Sequence, residues 1–321
     1  MRSAYYERLQ PVLAEGQAML RLAERVGHFA IREDETRRDL VERGLSQRHR
    51  DAMNAHGAYF RAILFEEQSR IAGAEPFVEN AAFVEAARRL YGRPLVRPVT
   101  ASANLMLPGQ QVALHTDLPR FRGILPGRDP AWLSVAMHHS GLFDDWRIAC
   151  ATGIAWFGGE PRGGDFVFYP DGPYGRSVAV PIQNDTAIAL DADSVLHGID
   201  RLDQTGPELP PLTSGMALRY ANDGAWVLDD GKREIARYTW SDLHFSVTWK
   251  AHCYRDGDEE RAVREHKRVL SRERALEVLS DDLRARRRIG ESAPDAAALA
   301  RAIAEEYLKF PPGAPAAASA S

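Results

Sequence analysis

The sequence predicts an α+β protein whose mainly β core is a sandwich or barrel of short strands, covered by helices from both ends of the chain. Residues 1–92 carry apolar side chains at helical spacing. Residues 93–256 contain short β-branched and aromatic runs separated by Gly, Pro, Asp and Asn, which is typical of sandwiches and barrels. Residues 257–310 return to a helical pattern. We therefore expect a single domain over residues 1–310.

The N-terminal stretch predicts amphipathic helices that cover one face of the core. Its apolar positions recur at three- and four-residue steps, which places them on one helix face. They are Leu9, Val12, Leu13, Gly16, Met19, Leu20 and Ala23, followed by Ile63, Leu64, Phe83, Val84 and Leu90. Pro94 and Pro98 then interrupt the helical pattern.

Residues 243–253 form the clearest strand of the predicted core. Apolar and polar residues alternate strictly along them, so one face of this strand packs against apolar side chains. Residues 215–240 are expected to form an inserted hairpin that turns at residues 229–232. The other expected strands are at residues 134–137, 154–157, 165–169 and 186–190.

The C-terminal stretch predicts a helix over residues 258–289. Acidic residues such as Asp258 begin it, while arginines such as Arg287 precede Gly290, an order that complements the helix dipole and the C-cap. Nucleic-acid contact is an alternative role for these arginines, but the overall charge does not favour it. Residues 311–321 are of low complexity and are expected to be disordered.

Composition excludes several classes of protein. The 321 residues have a formal net charge of −4, which does not favour binding to nucleic acid or to an anionic membrane. Two cysteines, Cys150 and Cys253, are too few for a disulfide framework or a Cys-rich zinc site. No apolar run approaches the roughly 20 residues of a membrane span, and the first residues contain no apolar signal core. We therefore expect a cytoplasmic protein.

Two His-x-Asp tripeptides occur, and their local structure distinguishes them. His49 and Asp51 lie in a helical stretch, where residues two apart point about 200° apart around the axis and do not share an ion. His115 and Asp117 follow a strand-like run, where alternate residues share a face at a spacing of about 6.6 Å. His115 and Asp117 are therefore the candidate metal ligands.

His197 is the candidate third ligand because it follows an acidic turn at the start of a predicted strand. Taken alone, it is more typical of a hydrogen-bonded core histidine, but together with His115 and Asp117 on a β background it is favoured as a ligand. Two imidazoles and one carboxylate on one face leave open coordination positions. This ligand set suits non-haem Fe(II), which holds a cosubstrate and O₂ together.

The triad within a short-strand core resembles the Fe(II)/2-oxoglutarate-dependent dioxygenases over about residues 95–256. Residues 104–109 are similar to the Asn-x-Tyr-x-x-Gly stretch of AlkB-like members, whose Asn contacts 2-oxoglutarate. Met106 replaces the Tyr, so only the role of Asn104 carries over. Residues 163–169 resemble the Gly-Gly-x-Leu-x-Phe strand that often precedes the distal histidine. The resemblance implies a double-stranded β-helix, or jelly roll, packed with helices.

The same resemblance implies a basic anchor for the distal carboxylate of 2-oxoglutarate, often the Arg of an Arg-x-Ser pattern. Here His244-x-Ser246 occupies that place, and Lys250 matches a second basic position of AlkB-like members. A histidine is neither always charged nor bidentate, so Lys250 or Arg219 is expected to supply the missing charge. Lys250 and His244 rank before Arg219 because they share a strand face with Ser246. A solvent-facing lysine is the alternative for Lys250.

The activity implied by the resemblance is an oxygenase that holds Fe(II) through His115, Asp117 and His197, uses 2-oxoglutarate and O₂, and releases succinate and CO₂. Because halogenating relatives lack the carboxylate, Asp117 favours hydroxylation, or desaturation or cyclisation. A small-molecule metabolite or natural-product intermediate is the expected substrate, with no nucleic-acid or membrane partner, and the oligomeric state stays open. Two alternatives are a cupin-type metalloenzyme that does not use 2-oxoglutarate and a non-catalytic β-sandwich binding protein.

Overall fold

The computed structural model describes residues 6–13, 17–32, 59–66, 69–125, 128–158, 163–204, 208–213, 215–292 and 294–308. The strands are β1 (Tyr6–Leu9), β2 (His28–Arg32), β3 (Tyr59–Glu66), β4 (Ser69–Arg70), β5 (Leu95–Met106), β6 (Val112–His115), β7 (Arg120–Phe121), β8 (Arg147–Phe157), β9 (Phe166–Tyr169), β10 (Val178–Val180), β11 (Thr186–Leu190), β12 (Leu196–Ile199), β13 (Ala217–Tyr220), β14 (Trp226–Asp229), β15 (Glu234–Tyr238) and β16 (His244–Tyr254). The helices are α1 (Gln17–Val26), α2 (Glu75–Val78), α3 (Ala81–Tyr91), α4 (Ala131–Ser140), α5 (Gly257–Arg264), α6 (Arg272–Ala285) and α7 (Ala296–Tyr307), with a 3₁₀ turn at Trp240–Asp242.

Two antiparallel sheets form the predicted jelly roll. The small sheet has the order β10-β9-β12-β6, and the large sheet contains the run β11-β8-β16-β5. Along these eight strands, the chain passes from one sheet to the other between β5 and β6, β6 and β8, β8 and β9, β10 and β11, β11 and β12, and β12 and β16. This alternation defines a double-stranded β-helix, so the fold class expected from the sequence is confirmed.

The outer face of the large sheet is covered by α1 and α3. Alternate residues of the sheet, such as Val247 and Trp249, join Phe83 of α3 in one buried apolar cluster. The Phe83 ring stacks on the Trp249 ring with centroids 5.3 Å apart, and the Trp249 indole N–H donates to the Val78 carbonyl over 2.9 Å. Strand β16 thus shows the alternation that the sequence predicts for residues 243–253.

The N-terminal stretch is not helical throughout, which corrects the prediction for residues 1–92. Strand β1 pairs with β11, and β2 and β3 extend the large sheet beyond β5. Ile63 and Leu64, expected on a helix, lie in β3. The eight residues of β3 include three aromatic side chains and Ile63, which favour a strand. The apolar residues of β3 occupy both faces of the strand, and for this reason their spacing also fits a helix.

The C-terminal elements form a second apolar cluster. Residues 134–137, expected as a strand, belong to α4, which ends at a left-handed Gly141. Because α4 is packed among α6 and α7, it is apolar around much of its circumference and lacks a helical stripe.

The helix expected at 258–289 consists of two helices, α5 and α6, with a break around Leu270. The Leu270 amide donates to the Arg122 carbonyl at this break.

The inserted hairpin expected at residues 215–240 is present as β13, β14 and β15, with β14 and β15 joined near residues 230–233. It continues the large sheet beyond β2.

The predictions for His49, Asp51 and the tail at 311–321 lie outside the described residues. Cys150 and Cys253 are free thiols, buried in the sheet. Over the described ranges, no helix combines the length and apolar character needed to cross a bilayer.

Gly153 is the point at which α3 approaches the sheet most closely. It is the register partner of Trp249, and a Cβ atom placed on it would lie 2.5 Å from the Phe83 ring. We expect Gly153→Ala to lower the free energy of unfolding by about 1–3 kcal/mol, because overpacking shifts the ring or the helix. Urea denaturation measures the loss. The penalty should shrink in a Phe83→Leu background, and an equal penalty there would contradict this packing.

Candidate metal centre

The three predicted ligands come from neighbouring elements of the small sheet. His115 ends β6, and its register partner on β12 is His197, with ring centroids 4.3 Å apart. Asp117 follows two residues after His115, and its amide donates to the Ala192 carbonyl over 2.8 Å. The structure therefore brings all three side chains together, with potential ligand atoms within 4.8 Å of one another.

The His197 ring is oriented by the backbone before β12. Its Nδ1 lies 2.9 Å from the Val195 carbonyl oxygen. A carbonyl only accepts, so Nδ1 carries the donated proton and Nε2 is the nitrogen that would bind a metal. The Phe166 ring flanks the imidazole with its centroid 5.8 Å away.

Asp117 is held as a carboxylate by its neighbours. The Lys250 ammonium donates to its Oδ2 over 2.8 Å, and the Thr152 hydroxyl donates to the same oxygen over 3.2 Å. Burial alone would raise the pKa of Asp117, but Lys250 and the two histidines outweigh burial and hold the pKa well below its usual range. Since both contacts use Oδ2, Oδ1 is available to a cation.

The turn at residues 191–195 positions two of the three ligands. It supplies the carbonyls that contact Asp117 and His197, and the buried Arg147 guanidinium fixes it by contacts to Asp191 (3.1 Å) and Asp193 (3.4 Å). Burial and the Asp191 carboxylate raise the pKa of Asp193 to about 7. Arg147 therefore stabilises the segment against which the triad is built, a role that the sequence did not reveal.

A row of polar side chains lines the inner face of the large sheet beside the triad. Lys250, Thr248 and Ser246 alternate along β16, and Asn104 of β5 is the register partner of Ser246. The Asn104 amide donates to the Thr248 hydroxyl over 3.0 Å. Three of the predicted cosubstrate residues, Asn104, Ser246 and Lys250, thus lie on the face that bears the contact to Asp117. Lys250 is not the solvent-facing lysine considered as an alternative.

His244 and Arg219 do not provide the charge expected of them. His244 is completely buried, and burial lowers its pKa to about 4, so it is neutral at pH 7. Arg219 lies on β13, four strands from β16 in the sheet, or about 19 Å at the usual strand spacing. Its guanidinium is 53% exposed and donates to Asp229 over 2.5 Å. The expectation that Arg219 reaches the site is wrong, because the inserted hairpin extends the sheet at its far edge.

Arg61 is a cation beside the site that sequence reasoning missed. It lies on β3 as the register partner of Asn104, and its Nε donates to the Asn104 Oδ1 over 2.7 Å. The surrounding run Tyr59–Glu66 is rich in aromatic and aliphatic residues, which are typical of a strand. A strand prediction for this run would have placed Arg61 on the inner face, because Phe60 and Ala62 on either side of it point outward.

Comparison with known proteins gives matches among solved structures alone. No protein-family model and no curated protein matches this chain. An oxidoreductase of the 2OG-Fe(II) oxygenase family from Burkholderia pseudomallei is similar, at 9% identity and a TM-score of 0.42, over 79% of this chain and 89% of that one. A Pseudomonas putida prolyl-4-hydroxylase aligns at 12% identity and a TM-score of 0.39, over 79% of this chain and 95% of its own.

A third similar structure is the non-haem α-ketoglutarate-dependent epimerase SnoN from nogalamycin biosynthesis. It shares 13% identity with a TM-score of 0.42, over 79% of this chain and 80% of that one. These identities and TM-scores are low.

Proposed function

We propose that the chain is an Fe(II)- and 2-oxoglutarate-dependent oxygenase that oxidises a small molecule with O₂. The observation that carries this proposal is the convergence of His115, Asp117 and His197, with ligand atoms within 4.8 Å, beside a polar wall in a jelly roll. Two imidazoles and one ionised carboxylate form the donor set that suits non-haem iron, and they leave positions for other ligands. When bound, the iron would supply the redox chemistry with O₂ that amino-acid side chains lack.

The chain's own residues would orient the ligands and exclude water. Lys250 keeps Asp117 ionised, and the Val195 carbonyl holds the His197 ring through Nδ1, so that Nε2 is the nitrogen that would bind the metal. On one side the space between the sheets is closed by buried apolar side chains, including Trp156 and Phe166. A closed apolar end limits access of water and strengthens the electrostatic contacts inside the barrel.

The polar row on the inner face would hold the cosubstrate. Asn104, Ser246 and Lys250 offer amide, hydroxyl and ammonium groups within one wall of the barrel. An oxo acid such as 2-oxoglutarate presents carboxylate and carbonyl oxygens, which accept hydrogen bonds from such donors. His244 closes the same wall as a neutral, buried side chain.

Hydroxylation is the reaction we favour, with desaturation or cyclisation as variants, because the carboxylate of Asp117 retains its place among the ligands. A small-molecule metabolite or natural-product intermediate is the proposed substrate. The net charge of −4 does not favour nucleic acid as the substrate, because binding to its phosphates needs clustered cations.

Anaerobic addition of Fe(II) and 2-oxoglutarate to the protein tests the proposal. We expect the weak visible charge-transfer band of an iron-bound oxo acid, and succinate when candidate substrates and O₂ are added. His197→Ala should show neither signal. A band that fails to appear in the wild-type protein contradicts the proposal, and substrate oxidation without succinate identifies a metalloenzyme that does not use 2-oxoglutarate.

Loss of a ligand should abolish metal binding. We expect Asp117→Ala to weaken Mn(II) binding, measured by electron paramagnetic resonance, by at least about 100-fold, because a buried site loses its one anionic donor. Asp51→Ala removes the acid of the other His-x-Asp tripeptide and is the matched control. Equal affinities of the two variants would refute the assignment of the triad.

Lys250 should act on the metal through Asp117. We expect Lys250→Met to weaken Mn(II) binding about 10- to 100-fold, as loss of a ligand's orienting partner usually does. The loss should be greater at pH 5.5 than at pH 7.5, because without the ammonium burial raises the pKa of Asp117 and protons compete with the metal. Lys232→Met, at an exposed hairpin turn, is the control. A pH-independent loss would argue against this role.

A further inference from the structure

The proposed site lacks a free cation on β16. A carboxylate that is taken out of water needs a charged partner, and 2-oxoglutarate has a second carboxylate far from its oxo acid end. Lys250 already pairs with Asp117, and His244 is neutral at pH 7. His244 and its register partner Met106 are both almost completely buried, so neither side chain faces a solvent-accessible space.

Arg61 has the unused donors that such a carboxylate requires. Its Nε is fixed by Asn104, and its guanidinium lies over the Tyr59 ring with the central carbon 4.8 Å from the centroid. These contacts leave Nη1 and Nη2 as a planar pair, the geometry that binds a carboxylate through two hydrogen bonds. Within the described ranges, no acidic side chain forms an ion pair with Arg61.

A continuous set of side chains leads from the metal ligands to Arg61. Lys250 contacts Asp117. Thr248 is the neighbouring residue on the same face of β16, about 6.6 Å from Lys250 along the strand. Thr248 accepts from Asn104, and Asn104 accepts from Arg61. Asn104 thus contacts Arg61 through Oδ1 and Thr248 through Nδ2, and it connects the guanidinium to the polar row.

We propose that Arg61 binds the distal carboxylate of 2-oxoglutarate and that Asn104 positions its guanidinium. The anchor would then come from β3, a strand outside the two four-strand runs of the jelly roll, and would replace the charge that His244 lacks. This inference rests on the proposed use of 2-oxoglutarate. It makes the N-terminal part of the chain a component of the cosubstrate site.

The test is the affinity for 2-oxoglutarate, measured by calorimetry on the full-length protein loaded with Mn(II), in which no turnover occurs. We expect Arg61→Met to weaken binding by on the order of 10- to 100-fold, the usual effect of losing a charge-assisted pair. Arg61→Lys should recover part of the loss, because it restores charge but not the planar fork. Arg219→Met, which removes an ion-paired arginine further along the sheet, should leave the affinity unchanged.

A cosubstrate analogue separates the anchor from general damage. 2-Oxopentanoate has the same oxo acid end and chain length but no distal carboxylate, so Arg61→Met should change its affinity less than twofold. Unchanged affinity of Arg61→Met for 2-oxoglutarate would overturn the inference while the proposed function stands. An equal loss for both compounds would also overturn it. Absence of 2-oxoglutarate binding in the wild-type protein would instead refute the proposed function.

Discussion

The ion pair between Lys250 and Asp117 is the contact on which the site depends. Lys250 belongs to the large sheet and Asp117 follows a strand of the small sheet, so their 2.8 Å contact joins the two sheets beside the histidines. Removing one partner of this partly buried pair would leave the other charge uncompensated. The pair thus orients the ligand carboxylate, and it also engages the cation that the sequence assigned to the cosubstrate.

Strand β16 serves the core and the site through its alternation. Trp249 points outward, stacks on Phe83 of α3 and donates to the Val78 carbonyl, whereas the next residue, Lys250, points inward to Asp117. A register slip of one residue would place the ammonium in the apolar cluster and the indole beside the ligands. Packing of the outer helix therefore fixes the register that the inner site requires.

The pairing of His115 with Asp117, the alternation of β16 and the inserted hairpin could be predicted because each depends on a local pattern. His115 and Asp117 are two residues apart, and the period of a strand is also two. The strand order is not local: nothing near Arg219 indicates that four inter-strand steps separate β13 from β16. Helix α4 was misread for a different reason, since a helix buried among other helices loses the polar face that reveals its period.

The least expected feature is that N-terminal strands extend the large sheet. The sequence predicted that this part of the chain forms helices that cover the core. Because β3 pairs with β5, Asn104 contacts Arg61 on one side and Thr248 on the other. A change in β3 can therefore reach the wall beside the metal ligands through two hydrogen bonds, without altering any strand of the jelly roll. The large sheet continues past the barrel, and its inner face carries side chains from outside the barrel to the site. In the proposed site, such an extension lets the barrel keep its three metal ligands while another part of the chain supplies the charge that faces the bound acid.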